Sequence, residues 1–500
     1  MTIENPRRRR RVLAAVAVSA TLAVTFGTAS PALAFDNQVV PISASIVSSI
    51  PTDALTLQLK QMLTNSNEYA VTTWWNTTKN FDAQSASAYL SFGGTAESNI
   101  RPSAAEAMAL ATALRFGSYD PVATGVSTAD ATAIVVRLVG SLAYRHYSVT
   151  AGGWGTSSAP AWPGSNGWQS SLWANAAGTA AWLIWDSLGS TERGYVRTMV
   201  EAEANRYLTW NPPYYRNLAG TVLSAGDTKA EEVAWDNNIL QLATAMMPNH
   251  ANYATWMDKR LQLSLAAVAR PADVDATNGP KIVNGKRLDV WVTGSNAFND
   301  GTVVNHGIVH PEYQTFPSLV LFGAVDQALA GKSVPYADLR GFPAFYGSIV
   351  NQTWTAGPKP AQYDVDSTVT HQINAPGGKV YAGTATGATD YTDIYYPMGN
   401  DWGNANRINF LITDVFAATI PSLYGALDAG LTQGGAYWAP IHAQKILNQQ
   451  ARFADGHTYL DSGENSYDGR EEQVAQFAAY SYLSRLLQAN GRFSVTNAAY

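Results

Sequence analysis

Apolar residues recur along most of this chain at the three- and four-residue spacing of a helix with one buried stripe. In "STADATAIVVRLVGSLAYRHY" Ile134, Leu138 and Leu142 share a face behind a start at Ser127 or Thr128. "RPSAAEAMALATALRFG" begins with the capping-box pair Ser103 and Glu106 and stops at Gly117. "WQSSLWANAAGTAAWLIWDSLG" ends at Gly189 and runs almost directly into "STERGYVRTMVEAEANRYL", a connection short enough to make the two helices antiparallel neighbours. "TKAEEVAWDNNILQLATAMM" stops at Pro248 and "ANYATWMDKRLQLSLAAVA" at Pro271; further helical runs lie near 317–331, 407–430, 438–454 and 470–489. Helix pairs without a fixed sequence repeat predict a mainly α fold, an α/α toroid in which hairpins close into a complete or incomplete six-by-six barrel. A single helical domain is expected over 61–500, after an extended segment at 35–60.

One stretch departs from this pattern. Residues 355–400 are rich in Val, Thr, Tyr and Gly and poor in helix formers, and they predict a loop and β-hairpin excursion from the ring, placed to cover its open end.

The N-terminus changes the picture of where the chain works. Arg7 to Arg11 precede an apolar run that ends in "SPALA", the pattern of an export signal cleaved near Ala34. Its loss would take five arginines and Glu4 from 32 basic and 38 acidic residues, leaving 27 against 37, a charge of −10. That balance argues against nucleic acid as a partner. No later apolar stretch approaches the ~20 residues that cross a bilayer, and with no cysteine there is no disulfide framework. A secreted protein is expected, without a membrane partner. Its 15 tryptophans and 25 tyrosines against few charges suit sugar binding, where an apolar ring face and a polar edge are both useful.

Candidate chemistry concentrates in "NDGTVVNHGIVHPEYQ", 299–314. Asn299, Asp300 and Gly301 signal a turn, and His306, His310 and Tyr313 follow before the next helix. "DGTVVNH" resembles the Asp-Gly-Ser-aromatic-x-x-His segment of the hyaluronate, chondroitin AC and xanthan lyases, and heparinase-like lyases use similar residues on the same kind of toroid. The resemblance implies that His306 and Tyr313 are a proton-transfer pair for β-elimination next to a uronate carboxylate. Val303 stands at the aromatic position of that segment, and the helical C-terminal hundred residues leave no room for the β-sandwich domains of those lyases.

Elimination also needs groups that neutralise the uronate carboxylate as charge develops. In "GDTKAEEVAWDNNILQ" Glu231, Trp235, Asn238 and Leu242 fall on one helical stripe, which makes Asn238 a candidate neutraliser beside Trp235, while Glu231 three residues after Thr228 reads as a capping box. "YYPMGNDWGNANR" offers Asn400, Trp402 and, as a carboxylate clamp, Arg407. Asp300, Glu232 and His310 complete the expected substrate-binding set. His306 and His310 at i and i+4 would suit zinc only on a regular helix, which Gly307 and Pro311 oppose, so neither metal nor cofactor is expected. Two other functions fit the same sequence: a glycoside hydrolase on the same fold, with a carboxyl pair drawn from Asp300, Glu312, Asp236, Glu232, Asp401 and Glu471, and a secreted carbohydrate-binding protein without catalysis.

Overall fold

The structure is a computed structural model that describes residues 38–160, 166–355, 359, 361–365, 377–420, 433–460 and 463–500. The expected export signal lies outside the described residues, as does part of the helix expected near 407–430. Among the described residues none forms a helix long and apolar enough to cross a membrane.

The chain is mainly helical, and its long helices fall into two kinds. The helices Glu97–Phe116 (α2), Ser170–Leu183 (α4), Ala230–Met246 (α6), Ile408–Thr419 (α11) and Arg470–Ala489 (α13) are buried around most or all of their circumference. Their sequences explain this, because Ala and small polar residues flank the large apolar ones on every face and allow close approach on all sides. The helices Ala54–Tyr69 (α1), Thr128–Tyr144 (α3), Ser190–Asn205 (α5), Tyr253–Ala267 (α7) and Gly435–Gln450 (α12) bury one stripe and expose the other. The first helix thus begins inside the segment expected to be extended.

The shorter helices Pro311–Thr315 (α8), Phe322–Leu329 (α9) and Phe342–Val350 (α10) lie between α7 and the irregular region. Helix α2 packs on α4, α4 on α6, α6 on α9, α9 on α13, and α13 on α2 and α11. The amphipathic helices lie against this set: α3 on α2, α5 on α4, α7 on α6, and α12 on α11 and α1.

Two caps differ from the sequence expectation. Helix α2 starts at Glu97, where Asn99 Oδ1 accepts from the Ala96 N–H at 3.2 Å, so Ser103 and Glu106 are interior residues. Thr228 donates its hydroxyl to Val304 O at 3.0 Å, so Glu231 does not form a capping box and its side chain is available elsewhere. Ser127 and Gly117 cap α3 and α2 as expected.

Strands among the described residues are two or three residues long. Within 355–400 Thr353–Thr355 pairs antiparallel with Gly377–Lys379, and the rest of the described excursion is turns and irregular chain anchored by buried Tyr381, Tyr395, Tyr396 and Met398.

Candidate active site

The segment singled out by its histidines forms a hairpin. Val304–Asn305 (β1) pairs antiparallel with Ile308–Val309 (β2), and all four residues are buried. The two turn residues, His306 and Gly307, both have positive φ, 53° and 78°, the turn whose twist matches the flanking strands. Asparagine is the usual first residue of such a turn. Histidine there costs roughly 1 to 2 kcal/mol of backbone strain, and the turn thrusts its imidazole out of the hairpin with the side chain 41% exposed.

A second loop is fastened to this hairpin. Gly307 N–H donates to Gly226 O at 3.0 Å, and Thr228 N–H donates to Val304 O at 2.9 Å. A Cβ on Gly226 would stand 2.9 Å from Gly307 Cα, so glycine permits the approach. The contact sets Asp227 and the first turn of α6, with Glu231 and Glu232, beside the hairpin.

After β2, His310 precedes α8, whose first residue is Pro311, and one turn later Tyr313 points back at the hairpin. Asp401 and Trp402 arrive from the end of the excursion. Asn400 holds that turn: its Oδ1 accepts from Trp402 N–H at 3.0 Å, and its Nδ2 donates to Glu312 and to Gly403 O, each at 2.7 Å.

These pieces make one hydrogen-bonded relay. His306 Nδ1 lies 2.6 Å from Asp401 Oδ2, His310 Nε2 lies 3.0 Å from Asp401 Oδ1, and Tyr313 Oη lies 3.3 Å from His306 Nε2. An ionised carboxylate only accepts. Both imidazoles therefore turn an N–H toward Asp401, which leaves His306 Nε2 as the basic nitrogen and Tyr313 as donor to it. Partial burial pushes the Asp401 carboxyl up, but the two imidazole bonds outweigh this and hold it well below the usual carboxylate range. The bond to Asp401 raises the His306 pKa against the opposing effect of burial. Burial lowers that of His310, which stays neutral. Burial, reinforced by Glu231, Glu232, Asp401 and Asp227, pushes the Tyr313 phenol well above its ordinary value.

The relay opens into a cavity of about 250 Å³. Its lining combines His306, Tyr313 and Asn305 with the rings of Trp402, Tyr467, Trp235 and Trp168, the carboxyls of Glu231, Glu232 and Asp227, and Arg101 and Gln169. Trp168 stacks on Trp235 with ring centroids 5.2 Å apart, and Trp402 lies 4.7 Å from Tyr313. Such flat apolar walls edged by polar groups suit a sugar ring. Lys229 pairs with Asp227 and lies 3.0 Å from Glu232. Arg101 donates to Glu97 at 2.6 Å.

Comparison of the chain with family models, curated proteins and solved structures finds no match. The site must therefore be read from its own geometry.

Of the residues expected from sequence, the structure brings together His306, Tyr313, Trp235, Trp402 and Glu232 around the cavity, with His310 and Asn400 one layer behind. Three lie elsewhere. Asn238 is on the expected stripe but one turn too deep, because Phe316 stands edge-on to Trp235 at 5.8 Å and closes the floor. Its amide donates instead to Gln241 and Leu319 O, both at 2.9 Å. Arg407 is fully buried and bound through two nitrogens to Asp393 at 2.6 and 2.8 Å, with no reach to the cavity. Asp300 braces its own turn, accepting from Thr302 N–H and Tyr363 Oη.

The sequence assigned no site roles to Asp227, Asn305, Gln169, Trp168, Glu97 and Tyr467, and it offered Asp401 as a polar and acidic candidate without pairing it to the histidines. Arg101 lines the cavity as well. Asp401 also changes the metal question: His306, His310 and Asp401 bring three donor atoms within 4.8 Å of one another, a set that could hold a transition-metal ion. As they stand, the carboxylate is satisfied by the two imidazoles.

Proposed function

We propose that this protein is a secreted glycan lyase, an α/α toroid whose cavity cleaves a uronate-containing chain by β-elimination. The toroid reading is supported by the closed succession of packed helices, α2 to α4 to α6 to α9 to α13 and back to α2. One observation carries the chemistry: Tyr313 Oη lies against His306 Nε2 at the cavity wall, while the far side of that imidazole is fixed by Asp401.

In this reading His306 Nε2 takes the proton from C5 of the uronate. The C4–C5 double bond forms as the C4–O bond breaks, and the departing oxygen takes the phenolic proton of Tyr313. The imidazolium then returns its proton to the phenolate across the His306–Tyr313 contact, so no external acid or base is consumed. The division of labour follows from the electrostatics. Four carboxyls raise the Tyr313 pKa together with burial, which disfavours a tyrosinate base and suits a tyrosine acid. Asp401 keeps the correct His306 tautomer and favours the imidazolium that develops. Asn305 and Gln169 bring amide groups to the cavity lining to meet the sugar's hydroxyls, and Arg101 lines it bound to Glu97.

The carboxyl cluster supports a second reading. Asp227, Glu231 and Glu232 all line the cavity, and a glycoside hydrolase needs two carboxyls, one of them protonated at working pH. Products separate the two. The lyase leaves one conjugated 4,5-unsaturated uronate per cut, whereas the hydrolase consumes water and leaves no chromophore. A panel of uronate and neutral polysaccharides, followed by ultraviolet absorbance and reducing ends together, is the deciding experiment.

A further inference from the structure

Among the cavity groups, Glu231 is the one whose surroundings the relay does not explain. It is 4% exposed, yet it lines the cavity; among the described residues its Oε1 has no partner, and its Oε2 has only the Asn305 amide at 3.5 Å. The cations nearby are already engaged. Arg101 bonds Glu97 on its own helix, and Lys229 serves Asp227 and Glu232. A buried carboxyl without a counter-ion of its own holds its proton, because desolvation penalises only the charged form. A protonated carboxyl is a donor, and among the described residues it has nothing to donate to.

We propose that Glu231 receives the substrate's carboxylate, as a neutral carboxylic acid donating into it, so that the ligand of this cavity is a sugar acid. The proposal rests on the lyase reading and gives the neutralising role, expected of Asn238, to the residue two turns nearer the helix start. A proton shared between Glu231 and the substrate carboxylate would disperse charge as the C5 carbanion develops. Glu231 regains that proton as the double bond forms, so it is not consumed.

The charge around it sets the kind of anion. Glu97, Asp227 and Glu232 line the cavity with Arg101, while Lys229 stands behind them, paired to Asp227 and Glu232, and His306 is neutral in its role as base, so three carboxylates face two cations. One carboxylate that shares a proton fits this surrounding. A permanently ionised sulfate ester, which no side chain there can protonate, meets net repulsion. Burial, Glu232 and Asp227 push the Glu231 pKa well above the carboxylate range, and Arg101 and Lys229 only partly oppose them. Uronate binding should therefore weaken as pH rises and Glu231 ionises.

The test uses the full chain with a Tyr313→Phe background to stop turnover. Binding of a 1,4-linked uronate tetrasaccharide and of a neutral tetrasaccharide is read by fluorescence of the cavity tryptophans across pH. Glu231→Gln, which keeps a neutral donor, should bind the uronate as the parent does and lose the alkaline weakening. Glu231→Ala should bind the uronate roughly ten- to a hundredfold more weakly and the neutral sugar unchanged. Equal weakening of both sugars by Glu231→Ala, or an alkaline weakening that persists in Glu231→Gln, would overturn the proposal. Cleavage by the unmutated protein is measured alongside. Reducing ends without a chromophore would end the lyase reading, while the binding series still decides whether Glu231 receives a carboxylate. Glu231→Gln should keep uronate binding but cleave more slowly, because an amide cannot share a proton with the carboxylate as charge develops; undiminished cleavage would overturn the proposal.

Discussion

Replacing Asp401 with Asn tests the relay at the joint that organises it. The carboxylate accepts from His306 Nδ1 at 2.6 Å and from His310 Nε2 at 3.0 Å, and the amide keeps the size while removing the charge. With charge centres about 4 Å apart, an effective dielectric near 20 gives about 4 kcal/mol of attraction between imidazolium and carboxylate. The His306 side chain is 41% exposed, so solvent screening reduces this to about 1 kcal/mol. His306 must be neutral to act as base. Because Asp401 raises its pKa, cleavage by the unmutated protein should fall as pH drops through that raised value. In Asp401→Asn the acid limb should move to lower pH. The plateau should also fall, by about 10- to 100-fold, since the bond that fixes the productive tautomer is a charge-assisted one. The assay is the pH profile of kcat/KM followed by product absorbance, with circular dichroism to confirm folding. An acid limb that stays where it was, on an unchanged plateau, would refute the assignment of His306 as base.

Tyr313→Phe should lower kcat by about 10²- to 10⁴-fold while leaving substrate binding by tryptophan fluorescence intact; a comparable loss of binding would make the phenol a structural prop. Activity should survive exhaustive chelation, and added Zn²⁺ should inhibit by capturing His306, His310 and Asp401; activity lost to a chelator and restored by the metal would contradict the relay. Arg407→Ala should cost about 3 to 5 kcal/mol in urea unfolding, because it removes the two-nitrogen partner of the buried Asp393 carboxylate and leaves it only Lys445, 3.8 Å away. Asn238→Ala should cost about 1 to 3 kcal/mol and leave kcat per folded molecule unchanged, since its amide braces Leu319 O and does not reach the cavity; a selective fall in kcat would return it to the site. Gly226→Ala should lower kcat, because its φ of +68° and its contact with Gly307 leave no room for a methyl group without moving His306, and unchanged kinetics would show that the hairpin has freedom to shift.

The helical character of the chain was legible because its helices carry apolar stripes and several end at Gly or Pro, signals confined to a few neighbouring residues. Capping was less so: Ser103 and Glu106 satisfy a local motif, but an earlier start at Glu97 buries them inside α2. In the site, His306 and Tyr313 could be found because both lie within one short segment. Asp401 is 95 residues from His306 and reaches it only through the turn that Asn400 holds, so no local pattern announces the pairing. The case of α6 is instructive in another way. Periodicity placed Glu231, Trp235 and Asn238 on one face, and they do share it, but the depth at which the cavity ends is set by Phe316, a residue from another element. Glu231, which local spacing marked as a cap, then becomes the cavity residue, and Asn238 becomes core.

The central claim is that His306 and Tyr313 move protons across a sugar ring held in this cavity. Simultaneous counting of new reducing ends and of ultraviolet-absorbing unsaturated ends, on uronate polymers treated with the unmutated protein and with His306→Ala, tests it most directly. One chromophore should appear for every chain cut, and His306→Ala should abolish both signals while remaining folded. Reducing ends that accumulate without the chromophore, or cleavage that continues undiminished in His306→Ala, would contradict it.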